Sequence, residues 1–168
     1  MGRDGKVFDF YKFRSMRVQP QAQDAAQELS ALEFLLGGDT APGGVEGEDR
    51  RTAVGRILRS TSLDELPQLF NVLRGDMSLV GPRPERPEFV ELFRQDIIRY
   101  GDRHRVKSGI TGWAQVHGLT GDTSIHDRAR FDNFYIEYWS IWLDLLILAR
   151  TVPSALSGAL HISRGGTP

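Results

Sequence analysis

Apolar positions recur with different periods along the 168-residue chain. In "KVFDFYKFR", Lys6 to Arg14, an extended backbone sets Phe8 and Phe10 on one face and Val7, Tyr11 and Phe13 on the other. This β-favouring content predicts a strand, one arm of a hairpin. Gln19 to Leu36 passes from polar to amphipathic and predicts a helix. Residues 37–51, rich in Gly, Pro and acids, bury too little apolar surface to order themselves and are expected to form a mobile loop. Thr52 to Leu73 is helical in pattern, with an interruption near Thr61 and Ser62. Pro82, Pro84 and Pro87 then impose extended or turn geometry. Phe89, Leu92, Phe93, Ile97 and Tyr100 fall at helical spacing. "GITGWAQVHG" reads as turn, short strand, turn, and a last long helix carries Phe131 to Ala149 until Pro153 stops it. The expectation is an α+β fold, mostly helical with a small antiparallel β-hairpin or sheet, in one domain over 1–168.

Lys and Arg total 21 against 22 Asp and Glu, a net charge of -1, so the mean field does not draw the chain to a polyanion and any anion site must be a local cluster. Without cysteine there is no disulfide framework, thiolate metal site or Cys nucleophile. The longest apolar run, Tyr138 to Ala149, is short and contains Asp144, so it is no spanning helix.

Candidate chemistry centres on "SLDELPQLFNVLRGDMSLVGPRP", Ser62 to Pro84. Ser62-x-x-Glu65 fits a capping box, but then Pro67 disturbs the first closed turn. With Asp64 as the N-cap, Pro67 falls at N3 and costs no helical hydrogen bond. Either way the acids begin a helix, whose positive end also favours a bound phosphate. Arg56 and Arg59 lie upstream, and Arg83 sits between two prolines that stiffen its backbone. Such a mount lowers the entropy lost on binding a phosphate. Carboxylate beside phosphate implies a hard cation, Mg²⁺. The basic run Arg99 to Lys107 offers a single aromatic, Tyr100, which argues against nucleic acid. The four histidines lack metal-ligand spacing. Tyr135, Tyr138, Trp139 and Trp142 fit a membrane-interface belt, although core packing of a helix is the commoner cause. On these residues alone, a noncatalytic domain that binds a membrane surface or a partner stays open beside an enzyme.

"KFRSM" (Lys12 to Met16), "GRILRSTSLDELPQLFNVLRGDMSLVGPRP" (Gly55 to Pro84), "GITGWAQVHG" and "FYIEYWSIWLDLLILARTV" (Phe134 to Val152) occur in this order. Together they resemble the motifs of the bacterial sugar transferases, the monotopic phosphoglycosyl transferases, over nearly all of the chain outside Gln19 to Asp49. The resemblance implies transfer of a sugar 1-phosphate from a UDP-sugar, UDP-glucose or UDP-galactose, to undecaprenyl phosphate, releasing UMP and initiating exopolysaccharide synthesis. It implies Asp64 as the nucleophile of an aspartyl-phosphosugar intermediate and Glu65 as the second catalytic acid, both serving Mg²⁺. It also implies Lys12, Arg59 and Arg83 at the substrate phosphates, and action on a membrane surface at the cytoplasmic face of the bacterial inner membrane. Ser108 stands where the family usually has Pro, His117 where Asn is common, and "EDRR" (Glu48 to Arg51) where Asp-Pro-Arg is usual. Members carry a hydrophobic membrane-dipping helix before the segment matched by Gly2 to Gly5, so the chain is expected to be a soluble portion of such an enzyme.

Overall fold

The computed structural model describes residues 1–17, 51–121 and 123–164, with side chains through 153. The helix expected over Gln19 to Leu36 lies outside the described residues, as does the loop expected over 37–51 apart from Arg51. The described elements begin with a 3-10 turn, Arg3–Gly5, and helix α1, Ala53–Ser60. A 3-10 turn at Leu63–Glu65 leads into α2, Gln68–Arg74, then β1, Ser78–Val80, and α3, Pro87–Asp96. A longer 3-10 segment, Tyr100–Arg105, precedes β2, Gly109–Thr111, and α4, Trp113–Val116; α5, Ile125–Glu137, and α6, Ile141–Arg164, complete the chain. The class is the expected one, mostly helical with a small sheet.

That sheet is parallel, not antiparallel: β1 pairs β2 with Ser78 opposite Gly109 and Val80 opposite Thr111. Parallel neighbours need a crossover, here α3 and the 3-10 segment. The strands approach unusually closely. A Cβ on Gly109 would lie 2.2 Å from the Gly81 nitrogen, one on Gly81 2.4 Å from the Lys107 oxygen, and one on Gly112 2.3 Å from the Gly81 oxygen.

Lys6 to Arg14 is extended and itself forms no strand, and among the described residues the one bridge near it pairs Met16 with Arg51, so the expected hairpin arm is corrected. Neither of its faces is core: Val7 and Phe13 are exposed on one and Phe10 on the other. Asn71 is the reason it stays extended without a partner strand. Its Oδ1 accepts from the Tyr11 N–H at 3.2 Å and its Nδ2 donates to the Asp9 carbonyl at 2.6 Å.

The single C-terminal helix is two. Ser140 begins α6, its Oγ accepting from the Leu143 N–H at 3.2 Å, while Tyr135 Oη and Trp139 Nε1 donate to opposite oxygens of Asp144. Pro153 lies inside α6 and does not stop it. "GITGWAQVHG" holds the expected strand and also α4.

Two cores result. Val90, Phe93, Ile97 and Tyr100 meet Ile125 and Ala129; Val80, Tyr135 and Ile147 form the second. Tyr138, Trp139 and Trp142, for which core packing was the leading expectation, are at least 60% exposed. An all-apolar helical pattern cannot show which stripe is buried, and here the buried stripe is narrow, centred on Ile147. Among the described residues no helix is long and apolar enough to cross a membrane.

His104 is buried against Tyr100, with Nδ1 lacking a hydrogen-bond partner. Desolvation first, then Arg103, Arg94 and the amino terminus, push it down from 6.5 to about 4. Its neutral form therefore supports folding fully above 6.5, and that support is lost as pH falls toward 4. Thermal melts across this window should show a steeper loss of stability for the wild type than for His104→Gln; parallel curves would contradict the assignment.

Candidate active site

Four local structures deliver the charged residues. Lys12 rides the extended N-terminal segment, whose Phe13 N–H donates to the Asp64 carbonyl at 2.9 Å and whose Ser15 carbonyl accepts from Thr52 N at 3.1 Å. Asp64 and Glu65 occupy the 3-10 turn before α2. Ser62 makes no side-chain cap and is left-handed, φ 56°, so the capping box does not form. Asp64 is not the helix N-cap either; Pro67 occupies that position. The acids precede the helix in a tighter turn whose Glu65 N–H bonds the Ser62 carbonyl. Arg83 leaves the carboxyl end of β1, and Arg59 lies in the last turn of α1.

These pieces converge. Arg83 grips Glu65 with a fork, Nη2 to Oε1 at 2.5 Å and Nη1 to Oε2 at 3.2 Å, a bidentate geometry that adds direction as well as strength. Lys12 Nζ lies 3.0 Å from Asp64 Oδ2 and 3.4 Å from Glu65 Oε1. Its contact with Asp64 is one of charge, because Oδ2 is buried with no aligned hydrogen-bond donor. Burial by itself would raise Glu65, yet the Arg83 hydrogen bonds and charge, helped by Lys12, hold it below the usual carboxylate range. Arg83 is correspondingly held above its usual value despite desolvation.

Lys12, Arg59, Asp64, Glu65 and Arg83 all line one cavity of about 640 Å³. Among the described residues Arg59 makes no ion pair, and it is exposed. Glu85, Gln115 and Arg128 also line the cavity, and the sequence reading did not single them out as site residues. Glu85 lies 3.7 Å from Arg128 and 4.0 Å from Arg103. No spacing signal could reveal Arg128, because α5 reaches the site only through tertiary packing. Its guanidinium holds the Gly121 and Thr123 carbonyls, fixing the loop on the far wall. The two positions that depart from the family pattern do not line the cavity. Ser108 Oγ donates to the Met1 carbonyl, and His117 packs between Trp113 and Phe131.

Among the described residues no group of three or more His, Asp or Glu is placed to hold a metal. Mg²⁺ asks for less, since it commonly takes one or two carboxylates and completes its shell with water and substrate phosphate. Asp64 Oδ2, buried without a hydrogen bond but 3.0 Å from Lys12 Nζ, would exchange that ion pair for the metal, and Glu65 beside it is held by both Arg83 and Lys12.

The family model for bacterial sugar transferases matches residues 1–158. The chain belongs to that family. A UDP-glucose:undecaprenyl-phosphate glucose-1-phosphate transferase of Caulobacter vibrioides is 43% identical over 160 residues, 93% of this chain and 54% of that protein. The corresponding Escherichia coli transferase is 43% identical over 155 residues, 90% of this chain and 30% of its own length. The undecaprenyl-phosphate galactose phosphotransferase of Salmonella typhimurium is 43% identical over 157 residues, 93% and 32% respectively. The chain thus spans between about a third and just over half of these family members.

Replacing Arg83 by Ala leaves Glu65 half-buried with Lys12 alone. Its titration should move up to or beyond the ordinary carboxylate range, read by carboxyl-carbon NMR, and stability should fall by roughly 1–3 kcal/mol. An unmoved Glu65 titration would refute the control assigned to Arg83.

Proposed function

We propose that the domain transfers a sugar 1-phosphate from a UDP-sugar to undecaprenyl phosphate, with Asp64 as nucleophile. The supporting observation is the convergence of a buried carboxylate, Asp64, with Lys12, Arg59 and Arg83 in one cavity. A noncatalytic domain, with the acids merely starting a helix, gives no reason for that convergence. A carboxylate oxygen of Asp64 attacks the sugar-bearing phosphorus of the donor. The bond from phosphorus to the bridging oxygen breaks, and UMP leaves with that oxygen and its electron pair. The phosphate oxygen of the lipid then attacks the same phosphorus, and the Asp64 carboxylate departs unchanged. A covalent step lets two bulky anions use one site in turn.

Charge complementarity supports the assignment of the other residues. Lys12, Arg59, Arg83 and Arg128 face Asp64, Glu65 and Glu85 across the cavity, so the site is nearly neutral before substrate arrives. A diphosphate then needs further positive charge; Asp64 and Glu65 would hold Mg²⁺, which would supply it by offsetting phosphate charge. Arg83 and Lys12 screen the phosphoryl oxygens from the nucleophile. Arg59, exposed and lining the cavity, is assigned to the donor's phosphates.

The lipid acceptor and the membrane surface enter on the apolar side. Leu66 and Leu69 line the cavity while exposed, and Phe70 and Leu73 continue from them along α2. Trp142 on α6 and Trp139 just before that helix are also exposed, aromatic residues of the kind favoured at headgroup level. We place this surface at the cytoplasmic face of the membrane, where nucleotide sugars are supplied. The named relatives use UDP-glucose or carry galactose, and we take one of these hexoses as the sugar.

In the full-length protein in membranes, Asp64→Asn should abolish UMP release from a panel of UDP-hexoses, and the wild type without lipid should gain the mass of a hexose phosphate. Wild-type turnover by Asp64→Asn would end this reading. Chelation by EDTA should stop turnover and added Mg²⁺ restore it; full activity in EDTA would remove the metal from the scheme.

A further inference from the structure

Next to the cavity, joined to its lining residues Glu85 and Arg128, lies a buried charge cluster that the proposed chemistry does not use. Arg103 and Asp132 are each 2% exposed. Arg103 Nη2 donates to Asp132 Oδ2 at 2.7 Å and to the main-chain carbonyl of Arg83 at 3.0 Å, while Nη1 donates to Tyr100 Oη at 2.8 Å. One guanidinium thus joins the 3-10 segment, α5 and the exit of β1. Burying such a pair contributes little net stability compared with apolar packing, so stability alone gives no reason for it.

The carbonyl it holds does give one. Pro82 and Pro84 flank Arg83 and provide no N–H, so the turn has a single main-chain donor of its own, that of Arg83. Its carbonyls are held from outside, Pro82 by the Gly109 N–H at 2.9 Å and Arg83 by Arg103. With two successive carbonyls fixed, the direction in which the Arg83 side chain leaves the backbone is fixed too. The cluster reaches the opposite wall as well: Glu85 lies between Arg103 and Arg128, and Arg128 holds the carbonyls of Gly121 and Thr123.

We propose that Arg103, locked by Asp132 and Tyr100, is the positioning residue for Arg83, setting the angle at which that guanidinium meets Glu65 and the donor's phosphates. This rests on the transfer reaction proposed above. Lysine keeps the charge of Arg103 but lacks the fork needed to hold Tyr100, Asp132 and the Arg83 carbonyl together. Misplacing a catalytic guanidinium by a fraction of its reach is costly to rate, on the order of 10–100-fold.

The experiment is a double-mutant cycle on UMP release by the full-length protein in membranes, with Arg103→Lys, Arg83→Lys and the pair, and melting temperature measured for each. Arg103→Lys should lower kcat about tenfold or more, with the donor KM changed far less. In the Arg83→Lys background the same change should cost about twofold or less, because residues acting through one another are not additive. Equal losses in both backgrounds, or unchanged kcat in Arg103→Lys, overturn the positioning role while leaving the transfer reaction standing. Unchanged UMP release by Arg83→Lys overturns it too, by leaving nothing to position; loss of the reaction itself is read separately from Asp64→Asn. Should Arg103→Lys not fold, Tyr100→Phe decides, since it deletes one hydroxyl and keeps the ring. A several-fold lower kcat at an unchanged melting temperature supports the proposal, and an unchanged kcat overturns it.

Discussion

Gly81 and Gly109 allow two three-residue strands to run side by side where any Cβ would collide with backbone, and most of the site's geometry follows from that approach. From the carboxyl end of β1 the chain passes directly into Pro82-Arg83-Pro84. From the carboxyl end of β2 it passes through Gly112 into α4, which carries Gln115. Both exits open on the same cavity, the side on which ligands gather in parallel sheets. The sheet is too small to be a core of its own. It is sandwiched against α6 through Val80 and Ile147, so the apolar helix fixes the strands and the strands aim the charged turn.

Around that frame the site solves an electrostatic problem. Two adjacent carboxylates, one of them 2% exposed, would repel each other and suffer desolvation. Lys12 bridges both, and Arg83 takes Glu65 in a fork. Their cations come from distant parts of the chain, which is why Lys12 needs the Asn71 and Phe13 backbone anchors and Arg83 needs its carbonyl held. An ionised Glu65 saturated by Arg83 leaves Asp64 as the carboxylate with an unbonded oxygen. Lys12, 3.0 Å from that oxygen, is its charged partner, so Glu65 is held by a hydrogen-bonded fork and Asp64 by charge.

The sequence reading succeeded where the signal was local. The break near Thr61 and Ser62, the amphipathic segment now seen as α3, and the short strand after Ser108 all have nearest-neighbour causes. It failed where a partner decided the outcome. Lys6 to Arg14 had the composition of a strand, and its backbone is extended, but its hydrogen bonds go to Asn71 and Asp64 rather than to a neighbouring strand. The break before α6 was locally encoded, by Ser140 as cap and Asp144 in the first turn, yet the continuous apolar spacing on both sides concealed it. The aromatic stripe around Trp142 was attributed first to the core, and the side on which it faces outward follows only from where Ile147 docks.

Residue type and order alone determined the α+β class, the family motifs and the charged residues Lys12, Arg59, Asp64, Glu65 and Arg83, because such properties reside in single side chains and short spacings. Tertiary structure decided that the sheet is parallel and that Arg83 pairs with Glu65. It also brought Arg128 and Glu85 into the cavity and placed Arg103 against the Arg83 carbonyl. These are contacts between segments up to tens of residues apart, set by which faces bury together, and one-dimensional spacing carries no measure of that distance.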